Sequence, residues 1–267
     1  MLRFISFGSG SSGNCYYLYT ENDGLLIDAG VGVRTLKKHF KDFGLSLSKV
    51  HHLLITHDHA DHIKCVGSLS HENNLPVYAT QQVHSGIDRN YCITKKVDFG
   101  LRYCVEPGVT VQLGDFIVTP FSVPHDSSDN VGYMIEVGDV SVCIITDAGM
   151  VTDEMASYIS RANYLILEAN HDREMLMQGN YPPHLKVRIS SKTGHLNNTE
   201  CGEAIANHMS EDLRQVWLCH LSEENNHPEL ARKTVETVLR SYGIVAGKDF
   251  TLDVLKRTVP TGIFELV

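Results

Sequence analysis

In Thr56-His57-Asp58-His59-Ala60-Asp61-His62, the side chains of His57, His59, Asp61 and His62 lie within six residues, directly after the apolar run Leu53-Leu54-Ile55. Neutral imidazoles and carboxylates are nitrogen and oxygen donors, a set that suits zinc and other first-row divalent ions. Alternation along a strand can keep His57, His59 and Asp61 on one face, but it cannot include the adjacent His62. A strand that ends, turns and starts a helix at Asp61 resolves this, with His57 and His59 facing one ion and Asp61 and His62 a second. The plain alternative is a histidine-rich loop with no metal, yet tracts of this composition mostly read as metal-binding.

Three more strand ends deliver residues of the same chemistry. Pro124-His125-Asp126 follows the strand expected over Phe116 to Val123. Val140 to Ile145 runs into Thr146-Asp147-Ala148-Gly149, and Gln215 to Cys219 ends at His220. Each alone suits a cap or a surface position. Together they supply the remaining ligands of a two-metal centre, gathered where α/β proteins place their sites. Asp28, after Leu25-Leu26-Ile27, either fixes a ligand histidine from beneath or caps the next helix. A buried strand from Asn163 to Leu167 leads to Glu168-Ala169-Asn170-His171, where His171 is a substrate contact or a structural residue. Lys186, Arg188 and Lys192, upstream of Gly194-His195-Leu196, position phosphates or form an ordinary basic surface.

The elements that must position these residues read as one domain over 1–267, with no repeat or linker. Strands are expected at Leu2 to Phe7, Cys15 to Tyr19, Leu25 to Asp28, Val50 to Thr56, Pro76 to Ala79 and near Phe250 to Leu255. Helices are expected at Val33 to Phe43, Asp61 to Leu69, from a Thr80 cap to Arg89, Thr199 to Met209 capped by Asn198 or Thr199, and Pro228 to Leu239. Gly8 to Asn14 is a flexible turn. It lacks the lysine and the following helix of a phosphate loop. Seven scattered cysteines without a Cys-x-x-Cys pair suit reduced thiols, and none reads as a ligand. No run has the length of a membrane span and no export signal precedes Ser6, so the protein is expected in the cytoplasm. A net charge of −9 argues against non-specific coating of nucleic acid. A nuclease stays open, because bound cations add positive charge at the site.

The whole constellation resembles the metallo-β-lactamase superfamily, with Asp28, Thr56 to His62, His125, Asp147 and His220 at its successive motifs. The resemblance implies an α/β architecture, an αββα sandwich with the site at one edge of its two sheets. It also implies that His57, His59 and His125 hold a first metal, that Asp61, His62 and His220 hold a second, and that Asp147 bridges them. Within the superfamily, Ser9 to Asn14, Pro124-His125-Asp126, Glu168 to Asp172, Gly194-His195-Leu196 and Cys219-His220-Leu221-Ser222 are similar to the bacterial YycJ, or WalJ, group. Asn197 departs from that group's Gly-His-Leu-Ser-Asn run. The implied activity is a metal-dependent 5′→3′ exonuclease on double-stranded DNA.

In that reading two divalent ions, zinc or manganese with iron as a further candidate, lower the pKa of a shared water, and the resulting hydroxide attacks phosphorus. His195 protonates the leaving oxygen and Glu168 orients it, as in related phosphodiesterases, while Asp61 joins them among the catalytic groups. The interval from Asp147 to His220 leaves no room for the insertion domain of the β-CASP nucleases. A thioester or lactone hydrolase on the same dinuclear site is the alternative. It would not need His195 with Glu168, because a thiolate leaves unprotonated.

Overall fold

Runs such as Leu25-Leu26-Ile27 and Val142-Cys143-Ile144-Ile145 are apolar at every position, which is the pattern of strands buried on both faces. The computed structural model, which describes residues 1–267, places them so. The first half of the chain supplies β1 (Leu2–Gly8), β2 (Cys15–Tyr19), β3 (Gly24–Ile27), α1 (Val33–Asp42), β4 (His52–Leu54), α2 (Ala60–Ile63), α3 (Val66–Asn73), β5 (Val77–Ala79), α4 (Gln81–Arg89) and β6 (Arg102–Cys104). The second half begins with β7 (Val111–Leu113), β8 (Phe116–Ser122), β9 (Val131–Val137), β10 (Val140–Ile145), α5 (Asp153–Ile159) and β11 (Tyr164–Glu168). It continues with α6 (Arg173–Gln178), α7 (Pro183–Ile189), α8 (Asn198–His208), β12 (Gln215–Cys219), α9 (Pro228–Ser241), β13 (Thr251–Val254) and β14 (Phe264–Leu266).

The strands form two seven-stranded sheets, ordered β14-β1-β2-β3-β4-β5-β6 and β13-β12-β11-β10-β9-β8-β7. In the first, β3 to β6 run parallel; in the second, β10 to β13 do. The loops with the expected ligands His57 to His62, Asp147 and His220 follow the carboxyl ends of β4, β10 and β12, while His125 follows the antiparallel β8. Residue alternation then divides the core into three layers. Phe4, Tyr16, Leu18, Ile27, Tyr133, Ile144, Ile166 and Trp217 fill the space between the sheets. Ile5, Tyr17, Leu26 and Leu53 turn outward to Leu36 and Phe40 of α1 and Leu69 of α3, while Cys143, Leu165, Val216 and Leu218 turn to Met155 of α5, Ile205 of α8 and Val235 of α9. The result is the αββα sandwich as one domain.

Most expected elements lie where the spacing places them, with two corrections near the site. The helix expected over Asp61 to Leu69 is broken into α2 and α3. Ala29 is the cause: its N–H donates to His62 O at 2.7 Å and its carbonyl accepts from Cys65 N at 2.8 Å, so these groups are lost to the helical ladder. The cap of α8 is Asn197, not Asn198 or Thr199. Its Oδ1 accepts from Thr199 N and Glu200 N at 2.9 and 3.0 Å, and Glu200 Oε2 accepts from Asn197 N, a capping box. The Asn198 amide is already engaged with Asn226 inside the protein. The short helices α5, α6 and α7 and the terminal strand β14 were not anticipated. No helix is long and apolar enough to cross a membrane, and all seven cysteines are free thiols.

Trp217 is the largest side chain between the sheets, with the rings of Phe4, Phe264 and Tyr164 at 4.8, 5.0 and 5.9 Å. Trp217→Ala is expected to cost about 3–5 kcal/mol in urea unfolding followed by circular dichroism, through lost burial and the cavity left behind. Trp217→Phe should cost distinctly less, because Nε1 is buried without a hydrogen-bond partner and its removal orphans nothing.

Candidate metal centre

β4 ends at Leu54, and the chain continues through Thr56 to His57, which forms a lone bridge with Asn130 of the other sheet's β8–β9 loop. Val131 N donates to Thr56 O at 3.1 Å and the Tyr133 hydroxyl to Ile55 O at 2.7 Å. The first motif is therefore stitched to the sheet that carries Asp147 and His220.

Each predicted ligand histidine except His220 has one ring nitrogen anchored outside the cluster and the other turned into it. His57 Nδ1 lies 3.0 Å from Thr56 Oγ1, His62 Nδ1 2.6 Å from Asp28 Oδ2, His125 Nδ1 2.9 Å from Gly194 O and His59 Nε2 3.3 Å from Asp126 O. Such outer bonds select the tautomer and the ring orientation of metal-binding histidines. Asp28 thus bonds a histidine and Thr56 and does not cap the following helix, whose cap is Gly32. His220 is held by its backbone, its N–H donating to Ser9 Oγ at 2.9 Å and its carbonyl accepting from Asn170 Nδ2 at 3.0 Å.

The inward atoms form compact groups: His57, His59 and His125; Asp61, His62 and His220; and His57 and His62 with Asp147, each with donor atoms within 4.8 Å of one another. Asp147 lies centrally, with Oδ2 3.2 Å from His62 Nε2 and Oδ1 2.8 Å from His220 Nδ1 and 3.7 Å from His125 Nε2. These approaches lack hydrogen-bond geometry. His57 Nε2, Asp147 Oδ2 and His220 Nδ1 are buried with no hydrogen-bond partner. Nitrogen and oxygen donors orphaned in this way fit divalent cations.

The electrostatics agree. Burial holds His57 well below the usual histidine range, aided by the charge of His62, and burial also lowers His125; both are neutral imidazoles fit to donate a lone pair. Burial works against charge on His62, but Asp28, Asp147 and Asp61 overcome it and push this ring up to about 10. For His220 burial is likewise outweighed, chiefly by Asp147. Burial would raise the Asp147 carboxyl, yet the charges of His220 and His62 hold it well below the carboxylate range. The carboxylates thus keep protons on two rings, positive charge that a bound cation would replace.

Glu168 and His195 adjoin the cluster. His195 Nδ1 is 2.7 Å from Glu168 Oε1 and 3.6 Å from Asp147 Oδ1. Glu168 Oε2 accepts from Ala148 N at 2.8 Å and Leu196 N at 3.2 Å, so both carboxylate oxygens are engaged and unsuited to a metal. Burial opposes charge on His195, but Glu168 raises its pKa, while His195 lowers that of Glu168 against burial.

His171, Asp58, His51 and His52 stand apart from the cluster. His171 is buried, with Nδ1 unpartnered and burial lowering the ring to about 4, and it belongs to none of the donor groups. Asp58 points away, accepting from Ser128 N and Oγ at 3.1 and 2.6 Å. His51 and His52 both bond Asp23. Asn14 escaped the sequence reading of a flexible turn. Its Nδ2 lies 2.9 Å from His62 Nε2 and 3.3 Å from Asp61 Oδ2, its N–H donates to Asp61 O at 2.8 Å, and its carbonyl accepts from Gly30 N at 2.9 Å. Gly30 permits this approach, since a Cβ there would collide with Asp61 O. Asn130, whose Nδ2 donates to Asp147 O at 2.7 Å, was missed as well. Neither has a local motif that marks it.

Residues 24–221 match the Beta-lactamase superfamily domain. The exodeoxyribonuclease YycJ of Bacillus anthracis is 34% identical over 262 residues, covering 98% of this chain and 98% of that protein. The exodeoxyribonuclease WalJ of Streptococcus pneumoniae is 34% identical over 248 residues, covering 93% of this chain and 92% of that protein. The crystal structure of YhfI from Bacillus subtilis, a metallo-beta-lactamase fold protein, superposes with a TM-score of 0.73 at 18% identity, covering 99% and 100% of the two chains, a likeness of fold. With a domain match over most of its length and relatives aligned nearly end to end, the chain belongs to the metallo-β-lactamase superfamily, in its YycJ/WalJ group.

Proposed function

We propose that this metal-dependent hydrolase is a two-metal phosphodiesterase that removes nucleotides from the 5′ ends of double-stranded DNA. The observation that carries the phosphodiester chemistry is the His195–Glu168 pair, set 2.7 Å apart against Asp147. The choice of DNA rests on the exodeoxyribonuclease relatives.

His57, His59 and His125 would hold one divalent ion, Asp61, His62 and His220 a second, with Asp147 shared; zinc, manganese or iron suits these donors. Bound there, such ions supply a water of lowered pKa and offset the charge that builds on a phosphate under attack. Glu168 keeps a proton on the half-buried His195 ring and fixes Nδ1, leaving Nε2 to give a proton to the departing sugar oxygen. Asp28, through His62 and Thr56, and Asn14, through Asp61, hold the ligand side chains in place.

Protein stripped of metal and resupplied with manganese or zinc should shorten a 5′-phosphorylated, end-labelled duplex stepwise from the 5′ end. Asp147→Ala is expected to abolish cleavage and to lower the metal bound per chain by elemental analysis. Normal metal content and activity in that variant would refute the shared-ligand assignment. His195→Ala should slow DNA cleavage by about 10²–10⁴-fold, the usual worth of general-acid help. The same variant should lose far less on bis(p-nitrophenyl) phosphate, whose leaving group needs no proton. Equal losses on both substrates would remove His195 from the proton-donor role. Turnover of a thioester or lactone, with DNA untouched under either metal, would favour the carbonyl hydrolase instead.

A further inference from the structure

α6 and α7, joined by the short turn 179–182, make up a hairpin-like segment between Glu168 and His195. The segment from α6 to Lys192 carries Arg173, Lys186, Arg188 and Lys192 against a single acid, Glu174, in a chain whose net charge is −9. The Lys186 ammonium is spent internally, donating to Met177 O and Gly179 O at 2.7 Å each, which pins α7 to the end of α6. Arg188 reaches outward and grips Asp126 with Nε and Nη2, the latter 2.9 Å from Oδ1, leaving Nη1 without a partner. Asp126 Oδ1 is in turn 3.6 Å from His125 Nε2. At the end of α7, His195 N donates to Ile189 O at 2.8 Å, and Gly194 packs so closely on the Arg188 and Ile189 carbonyls that a Cβ would collide with both. The hairpin is thereby joined to the candidate proton donor on one side and to the first ligand group on the other.

Its outer surface is unusual for an acidic protein. Val187 is 70% exposed and Met177 55%, and Lys192 is exposed as well. At the connection between the two helices burial raises the pKa of the Tyr181 phenol, and the charges of Glu224 and Glu223 add to it, so this acidic pair borders that end, while Arg188 and Lys192 lie at and beyond the far end of α7. A polyanion is attracted to the far end and repelled from the connection. Asp147 is buried and only part of His195 and Asp61 is open to solvent, which favours a terminal nucleotide freed from its partner. Apolar side chains that wedge against base pairs assist such unstacking.

Resting on the DNA reading above, we propose that the α6–α7 hairpin seats the end of the duplex, with Arg188 and Lys192 taking backbone phosphates and Val187 packing on the terminal base pair. Two variants in manganese-loaded full-length protein test this, with Lys233→Ala on α9 as a control for charge. Lys192→Ala should raise KM for duplex several-fold more than for bis(p-nitrophenyl) phosphate and flatten the log–log salt dependence of DNA binding by about one unit. Val187→Asp should slow cleavage of a blunt duplex by about tenfold relative to a duplex whose 5′ end is already unpaired, a ratio that a folding defect would leave unmoved. Wild-type salt dependence in Lys192→Ala together with a wild-type blunt-to-unpaired ratio in Val187→Asp, in a protein that degrades DNA, would overturn the hairpin assignment alone. A wild-type protein that hydrolyses the small diester and leaves every DNA intact would overturn the DNA reading, and this assignment with it.

Discussion

The carboxylate of Asp147 is buried where both sheets end, and the site is arranged around the cost of keeping it there. Several kcal/mol are needed to strip a carboxylate of water unless opposite charge replaces it. Here the replacement is a ring of imidazoles, with His62 at 3.2 Å, His220 at 2.8 Å and His195 at 3.6 Å. None of them can be supplied by a neighbour in sequence. This carboxylate therefore requires β4, β10, β12 and the α7–α8 connection to be in register before it can be buried.

Backbone strain marks the same places. Asp28 and His220 have φ of 62° and 52°, left-handed values uncommon for residues other than glycine, and each immediately follows a parallel strand, β3 and β12. Strain of this kind persists where surrounding bonds over-determine it. Asp28 has its N–H on Leu54 O and its carboxylate on Thr56 and His62; His220 has Ser9 and Asn170 on its backbone groups. In both cases the turn aims a side chain across the strand ends and not along them. The cost is met by buried hydrogen bonds drawn from distant segments.

The sandwich also separates stability from chemistry. Apolar residues on three packed layers hold the sheets, while nearly all buried charge is confined to one edge. Loops at that edge can carry function because the layers beneath them are rigid. The α6–α7 segment lies at that edge, tied down at Asp126 and Ile189, within itself by Lys186, and by the buried Leu176.

Much of this was legible in the chain itself. Unbroken apolar runs announced two-face strands, and the dense His57 to His62 motif announced metal chemistry, because strand periodicity and ligand type are local properties of consecutive residues. His125, Asp147 and His220 were legible more weakly, each as a polar residue ending an apolar strand. The break between α2 and α3 was not legible, since it depends on Ala29 taking bonds from a helix that is sound in isolation. Nor was the role of Asn14, whose partners Asp61 and His62 lie far along the sequence. The segment with Lys186, Arg188 and Lys192 looked uniform, yet folding commits Lys186 to backbone carbonyls, commits Arg188 to Asp126 and leaves Lys192 exposed. Residue type and spacing determined which chemistry was present; which nitrogen faces inward and which cation stays free was decided by long-range packing and hydrogen bonding, which no local pattern encodes.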